Sequence, residues 1–292
     1  MYLLIISVLC LLATAKVLTQ SRYAKKNTNS FADSAMFNTV VFATMGVIGL
    51  SLSGPGEINA SVIWGASMFG FFNVSFQIMY QIALSCGPTS ISALIASLAS
   101  IVPLVTAALI YGEPMSGANI VGVVLIVITL VMNADIKKDL GKNKKPAGRK
   151  WFLLIMLAFC ANSMGMISQQ TYAKATGASS SSSFIACSSI VASLIALAFW
   201  GVLRLRGEKL SCRMTPRKIL PCVAVGLILG VFQIMHTRAM AVIPGTVLFP
   251  SYSAGAAISI ALGSRFLFRE KLSRAQCISF VIGIVAIILI NI

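Results

Sequence analysis

The residues of this chain best equipped for chemistry are polar side chains set inside long apolar stretches. Asn73, Gln77, Tyr80 and Gln81 recur at steps of three to four within residues 62–84. On a helix, Asn73, Gln77 and either Tyr80 or Gln81 share one face. Gln233 and His236 make a similar stripe within residues 219–241. An amide offers a donor and an acceptor at once, so facing glutamines would hold a polar, neutral or zwitterionic solute without fixing its charge. The competing reading is that each glutamine bonds a neighbouring helix. Lys16 lies about two turns inside the first apolar stretch if that stretch ends near Tyr23, roughly 10 Å from the boundary at ~1.5 Å per residue. Its ammonium either reaches back to the interface along its own stem or turns inward to attract a carboxylate or phosphate. His236 is the single histidine, and it either packs with its nitrogens bonded or relays protons. Asn162 and Gln169 extend the same idea. The expected substrate-binding set is therefore Lys16, Asn73, Gln77, Tyr80, Gln81, Gln233 and His236.

What is missing is equally informative. All seven acids, Asp33, Glu57, Glu113, Asp135, Asp139, Glu208 and Glu270, fall in loops or at the ends of apolar stretches. A carrier that exchanges protons for organic cations needs a carboxylate at membrane depth, so an uncharged, zwitterionic or anionic metabolite is expected ahead of a cationic drug. There is no embedded carboxylate pair, Ser/His set, metal-ligand spacing or phosphate-binding loop. The seven cysteines show no paired spacing. Catalysis, a metal, a cofactor and disulfides are accordingly not expected. Glu113 and Glu270 are each expected to cap the start of the helix that follows.

The elements that must position these residues follow from composition. With 58% hydrophobic and 10% charged residues and a mean hydropathy of +0.91, a water-soluble globule would expose too much apolar surface. The chain reads as an all-α integral membrane protein. A helix of about 20 apolar residues crosses a ~30 Å hydrocarbon core. Such stretches occur at 2–22, 33–52, 62–84, 90–111, 116–133, 151–172, 183–203, 219–241, 246–267 and 273–291, which predicts ten transmembrane helices. The first lacks the positive start and small-residue cleavage site of a secretion signal.

The second half repeats landmarks of the first. Gln20, Tyr23, Ala24 and Lys25 return as Gln169, Tyr172, Ala173 and Lys174; Phe76-Gln77-Ile78-Met79 returns unchanged as Phe232-Gln233-Ile234-Met235, followed by Pro88 and Pro244; Glu113 and Ser116 return as Glu270 and Ser273. Three matches in register predict an internal repeat. Five crossings per copy would invert the second copy, the arrangement that builds a midplane site in many secondary transporters. The expected units are 1–133 and 151–292, joined by a basic linker at 134–150.

The net charge of +16 reflects topology rather than nucleic-acid binding. Arg22, Lys25 and Lys26 follow the first stretch, the linker carries seven basic residues from Lys137 to Lys150, and Arg204, Arg206, Lys209, Arg213, Arg217 and Lys218 follow the seventh. Arg265, Arg269, Lys271 and Arg274 flank the ninth connection. Positive short loops stay cytoplasmic, so the odd-numbered loops should be cytoplasmic and both termini outside, in a bacterial plasma membrane. The lipid bilayer and a small-molecule substrate are the expected partners, with a monomeric carrier the simplest assembly. The serines at 179–183 read as an outer loop. Small residues at steps of four, Ser92, Ala96 and Ser100, then Gly255, Ser259 and Gly263, then Gly226 and Gly230, read as close-packed seams.

The ten-helix pattern, the repeat and the Glu-containing turns (Tyr111-Gly112-Glu113 and Arg269-Glu270-Lys271-Leu272-Ser273) resemble the drug/metabolite transporter superfamily, its EamA-type members above all. The resemblance implies two five-helix inverted repeats, transport activity, and a central cavity lined by the third, fourth, eighth and ninth helices. The expected function is a secondary carrier of a small polar metabolite such as an amino acid. A carrier or flippase for a lipid-linked or amphiphilic substrate, multidrug efflux, and a membrane enzyme or sensor without transport are the other readings.

Overall fold

The computed structural model describes residues 2–54, 58–87, 89–133, 149–208, 215–268 and 274–290. The linker residues 134–148, Glu57, Pro88, Lys209, Arg213, Glu270 and Ser273 lie outside them.

Each expected apolar stretch is helical over most of its described residues. The described residues form α1 (Tyr2–Asn27), α2 (Phe31–Ser51), α3 (Ala60–Cys86), α4 (Thr89–Leu98), α5 (Ile101–Leu109), α6 (Gly117–Asn133), α7 (Arg149–Thr176), α8 (Ser181–Leu205), α9 (Pro216–Val242), α10 (Gly245–Phe268) and α11 (Arg274–Ile290). Seven helices are long and apolar enough to cross a membrane: α1, α2, α3, α7, α8, α9 and α10. The surface they present is greasy, with Leu4, Trp64, Leu194, Leu205, Leu220 and Phe266 all exposed. Polar side chains such as Gln20, Asn38, Gln81, Gln169 and Thr237 are fully buried. A polar inside under an apolar outside suits lipid, which offers backbone and side chain no hydrogen bonds. The chain is a multi-pass α-helical membrane protein.

Local signals account for the helix starts. Ser30 opens α2 with a capping box: its Oγ accepts from the Asp33 amide at 3.2 Å, and Asp33 Oδ2 accepts from the Ser30 amide at 3.1 Å. Asn59 opens α3 by accepting from the Val62 amide at 2.9 Å.

Three expectations are corrected here. The stretch 90–111 is not one helix but two, α4 and α5, parted by a turn at Ala99 and Ser100. The cause is Pro103: a proline ring clashes with the carbonyl four residues back, and that residue is Ala99. The serines at 179–183 are not simply a loop, because Ser181, Ser182 and Ser183 form the buried first turn of α8. Two helices also run further than expected, α1 to Asn27 and α7, which follows the basic linker, back to Arg149.

Packing interleaves the two parts of the chain. α2 lies against α8, α6 against α11, α3 against α7 and α8, and α9 against α1 and α2. Glycine makes the α2–α9 approach close: a Cβ on Gly226 would stand 2.7 Å from both Thr44 Cβ and the Val41 carbonyl oxygen. Gly255 meets Cys10 of α1 in the same way, at 2.7 Å from its Sγ. The glycine rows of α9 and α10 are therefore packing seams, whereas Ala96 and Ser100 of the α4 row face the cavity.

Candidate functional site

Among the described residues a central cavity has about 110 Å³ that the centre of a water molecule can reach. That is several times what one buried water occupies, so it has room for a small solute. Six helices line it: α1 (Ala13, Lys16, Val17), α3 (Phe69, Asn73, Phe76, Gln77, Tyr80), α4 with the following turn (Ala93, Ala96, Ser97, Ser100), α7 (Asn162, Gly165, Gln169 and neighbours), α9 (Leu229, Phe232, Gln233, His236) and α10 (Tyr252, Ser253, Ala256, Ile260). The expected lining by the third, fourth, eighth and ninth apolar segments is thus incomplete. α1 and α7, the first and sixth segments, add Lys16, Asn162 and Gln169 to the wall.

The matched landmarks build matching hydrogen-bond clusters. In the first half Gln20 Nε2 donates to Gln77 Oε1 at 3.2 Å and to Gln81 Oε1 at 2.8 Å. In the second, Gln169 Nε2 donates to Gln233 Oε1 at 3.0 Å and to Thr237 Oγ1 at 2.7 Å. Gln20 and Gln169 correspond in the repeat, as do Gln77 and Gln233, and Gln81 and Thr237 occupy the same place after each Phe-Gln-Ile-Met. Each cluster clamps the first helix of a half to its third. Gln81 belongs only to the clamp, where its Nε2 also donates to Thr28 Oγ1 at 3.2 Å, and it does not line the cavity.

The remaining site residues meet at the cavity. Lys16 is buried, so it does not reach back to the interface; its Nζ donates to Gln77 Oε1 at 3.2 Å and lies 5.7 Å from the Phe76 ring centre and 5.5 Å from that of Tyr80. Asn73 and Tyr80 are buried on the same wall. His236 is 2% exposed, stacks on Phe232 with ring centres 5.2 Å apart, and has no hydrogen-bond partner for either ring nitrogen among the described residues. Tyr252 approaches His236 and Phe232, ring centres at 5.3 and 5.7 Å. Ser100 and Ser253 share a hydrogen bond between the α4–α5 turn and α10, and Asn162 Nδ2 donates to the Ala96 carbonyl at 3.0 Å.

The sequence-derived set missed Gln20, Tyr252, Ser100 and Ser253 as site-building residues. Gln20 was signalled by its place in the repeat, since a glutamine returning at Gln169 inside an apolar stretch needs a partner. Nothing in the spacing of the others separates them from ordinary packing residues.

Glu113 is a further correction. Among the described residues its carboxylate makes no bond to α6, the helix that follows. Instead Glu113 Oε2 accepts from the Thr246 amide at the start of α10 at 3.0 Å, and Oε1 pairs with Lys174 Nζ at 2.6 Å. Gly112, at φ +62°, makes the turn that delivers it there. Arg238 is exposed and donates from Nε to Ser181 Oγ at 2.9 Å, a role at the end of α9 rather than in the cavity.

No protein-family model matches the chain, and no curated protein does. A solved structure described only as the crystal structure of a protein is similar to it, with a TM-score of 0.72 at 17% identity over 98% of this chain and 94% of its own. At that identity the likeness speaks for the fold alone.

Proposed function

We propose that this chain is a secondary carrier for a small polar metabolite, working by alternating access between two inverted five-helix repeats. The observation that carries the reading is the pair of glutamine clamps on one central cavity. Each clamp ties the first helix of a half to its third through residues that correspond in the repeat, and the same three apolar segments of each half line the cavity. A solute held between two such halves is released to one side or the other when they rock.

Ten crossings follow if α4 and α5 act as one broken span and if α6 and α11, which pack on each other, also cross. Broken spans are tolerated where they line a cavity, and α4 does. Charge supports the orientation. Arg22, Lys25, Lys26, Arg149, Lys150, Arg204, Arg206, Arg217, Lys218 and Arg265 sit at or near helix ends that neighbour α1's C-terminus, whereas Lys174 and Arg238 belong to the Glu113 end. The basic end is then cytoplasmic. Resemblance to the drug/metabolite transporters supports the ten-crossing repeat but not this orientation, since many of those proteins keep their termini in the cytoplasm; charge alone carries the orientation.

The test is solute-blind. Vesicles containing the purified protein are loaded with an extract of small cellular metabolites, and the solutes that leave are identified by mass spectrometry. The wild type is expected to release one chemical class faster than vesicles carrying Gln77→Ala/Gln233→Ala. Identical profiles for the two proteins would sink the carrier reading.

A further inference from the structure

The cavity contains a buried lysine amine, that of Lys16, which no acid among its lining residues pairs. Lys16 Nζ is buried, and its one hydrogen-bond acceptor among the described residues, Gln77 Oε1, is already shared with Gln20 Nε2. The Phe76 and Tyr80 rings offer their faces, which attract a cation without cancelling its charge. An ammonium has three donors, and no carboxylate is among the lining residues. A buried charge is normally paired, because desolvating it alone is costly.

The lysine is not there to build the clamp. Counting four residues back from Gln169 places Gly165 where Lys16 stands relative to Gln20, and Gly165 also lines the cavity. The second clamp closes at 3.0 and 2.7 Å without any ammonium. The charge is thus an addition to one half only, and it faces the shared space. Beyond it the wall is aromatic, with Phe232, Tyr252 and a His236 whose two nitrogens have no partner among the described residues.

We propose, resting on the carrier reading, that the substrate is a small organic acid bearing a single carboxylate on a flat, apolar body. The carboxylate meets Lys16, the body lies among the rings of Phe76, Phe232 and Tyr252, and any further polar substituent is met by His236. One buried cation calls for one negative charge. A second carboxylate finds no cation, and the ammonium of an amino acid finds no acid on the wall.

The experiment is equilibrium binding to the full-length protein in detergent, using phenylacetate, phenylacetamide and phenylalanine. These share a ring and differ in charge: anionic, neutral and zwitterionic. Phenylacetate is expected to bind about ten-fold or more tightly than the other two, the scale of one charge-assisted contact. Lys16→Gln should bring phenylacetate down to the level of the amide, and Lys16→Met serves if the glutamine variant does not fold. Equal affinities in the wild type, an unchanged preference in the Lys16 variants, or no binding of phenylacetate would each overturn the inference. Phenylacetamide binding that is weakened by Gln77→Ala would overturn the anion while leaving a carrier for neutral solutes, whereas the vesicle experiment above decides the carrier reading by itself.

Discussion

At the scale of single residues, the two glutamine clamps carry the most weight because both their ends are buried. Gln20 is wholly inaccessible, and two carbonyl oxygens depend on its amide. Gln20→Leu keeps the bulk and removes the donor, leaving Gln81 Oε1 without it. An acceptor stranded in an apolar interior costs about 1–3 kcal/mol, whereas removing both partners is close to neutral. Gln20→Leu should therefore lower the thermal unfolding temperature in detergent, and Gln20→Leu/Gln81→Leu should recover part of the loss. A single variant as stable as the wild type would show that the clamp contributes nothing to folding. The clamp also marks how far the sequence can be read for a site. Gln77 and Gln233 announce themselves, since polar residues at helical spacing inside apolar runs are conspicuous. Which face each turns to, and hence that Gln81 serves the clamp and Lys16 the cavity, depends on the rotation of α1 against α3. No periodicity encodes that rotation in helices that are apolar all round.

At the scale of elements, stability rests on how closely helices approach, and glycines reveal where. A methyl group on Gly226 would press on the Val41 carbonyl oxygen, a backbone atom that moves only if α2 moves. Gly201, in α8, has nothing within 4 Å of the same position. Gly226→Ala should destabilise by about 1–3 kcal/mol through overpacking. Gly201→Ala should be neutral or slightly stabilising, because alanine is the better helix former. Equal effects at the two sites would mean that the α2–α9 seam yields freely. Element positions were mostly legible because hydrophobic length alone sets them. The exceptions have local causes. Pro103 breaks the stretch 90–111 through its ring, a signal present in the sequence but masked by the unbroken hydropathy around it. The serines at 181–183 look like a loop by composition, yet they are buried against neighbouring helices and fold as the first turn of α8, a tertiary effect that outweighs propensity.

At the scale of the whole molecule, the question is what ties the halves together at each end of the cavity. At one end the tie is Glu113, which reaches from the α5–α6 turn to two elements of the other half, Lys174 on α7 and the first turn of α10. The contact is partly desolvated, the two side chains being 10% and 25% exposed, and a carboxylate at a helix N-terminus gains about 0.3–1 kcal/mol from the peptide dipoles in addition to its ion pair. If the halves rock as proposed, separating them at this end must break both bonds. Glu113→Gln loses the ion pair and weakens the cap, so it should shift the population toward the state open at that end. Ser97 reports on this: it lines the cavity, and its hydroxyl bonds only its own helix, at the Ala93 carbonyl. In a background stripped of the seven native cysteines, Ser97→Cys in intact cells should react several-fold faster with a membrane-impermeant maleimide in the medium once Glu113→Gln is added. Faster labelling would place the Glu113 end outside and identify the bond as a latch. Labelling that speeds up only when the reagent is admitted to the cytoplasmic side would reverse the topology and keep the latch. No change from either side would reduce Glu113 to a local cap on α10, and the barrier to opening would then have to lie in the small-residue seams between α2 and α9.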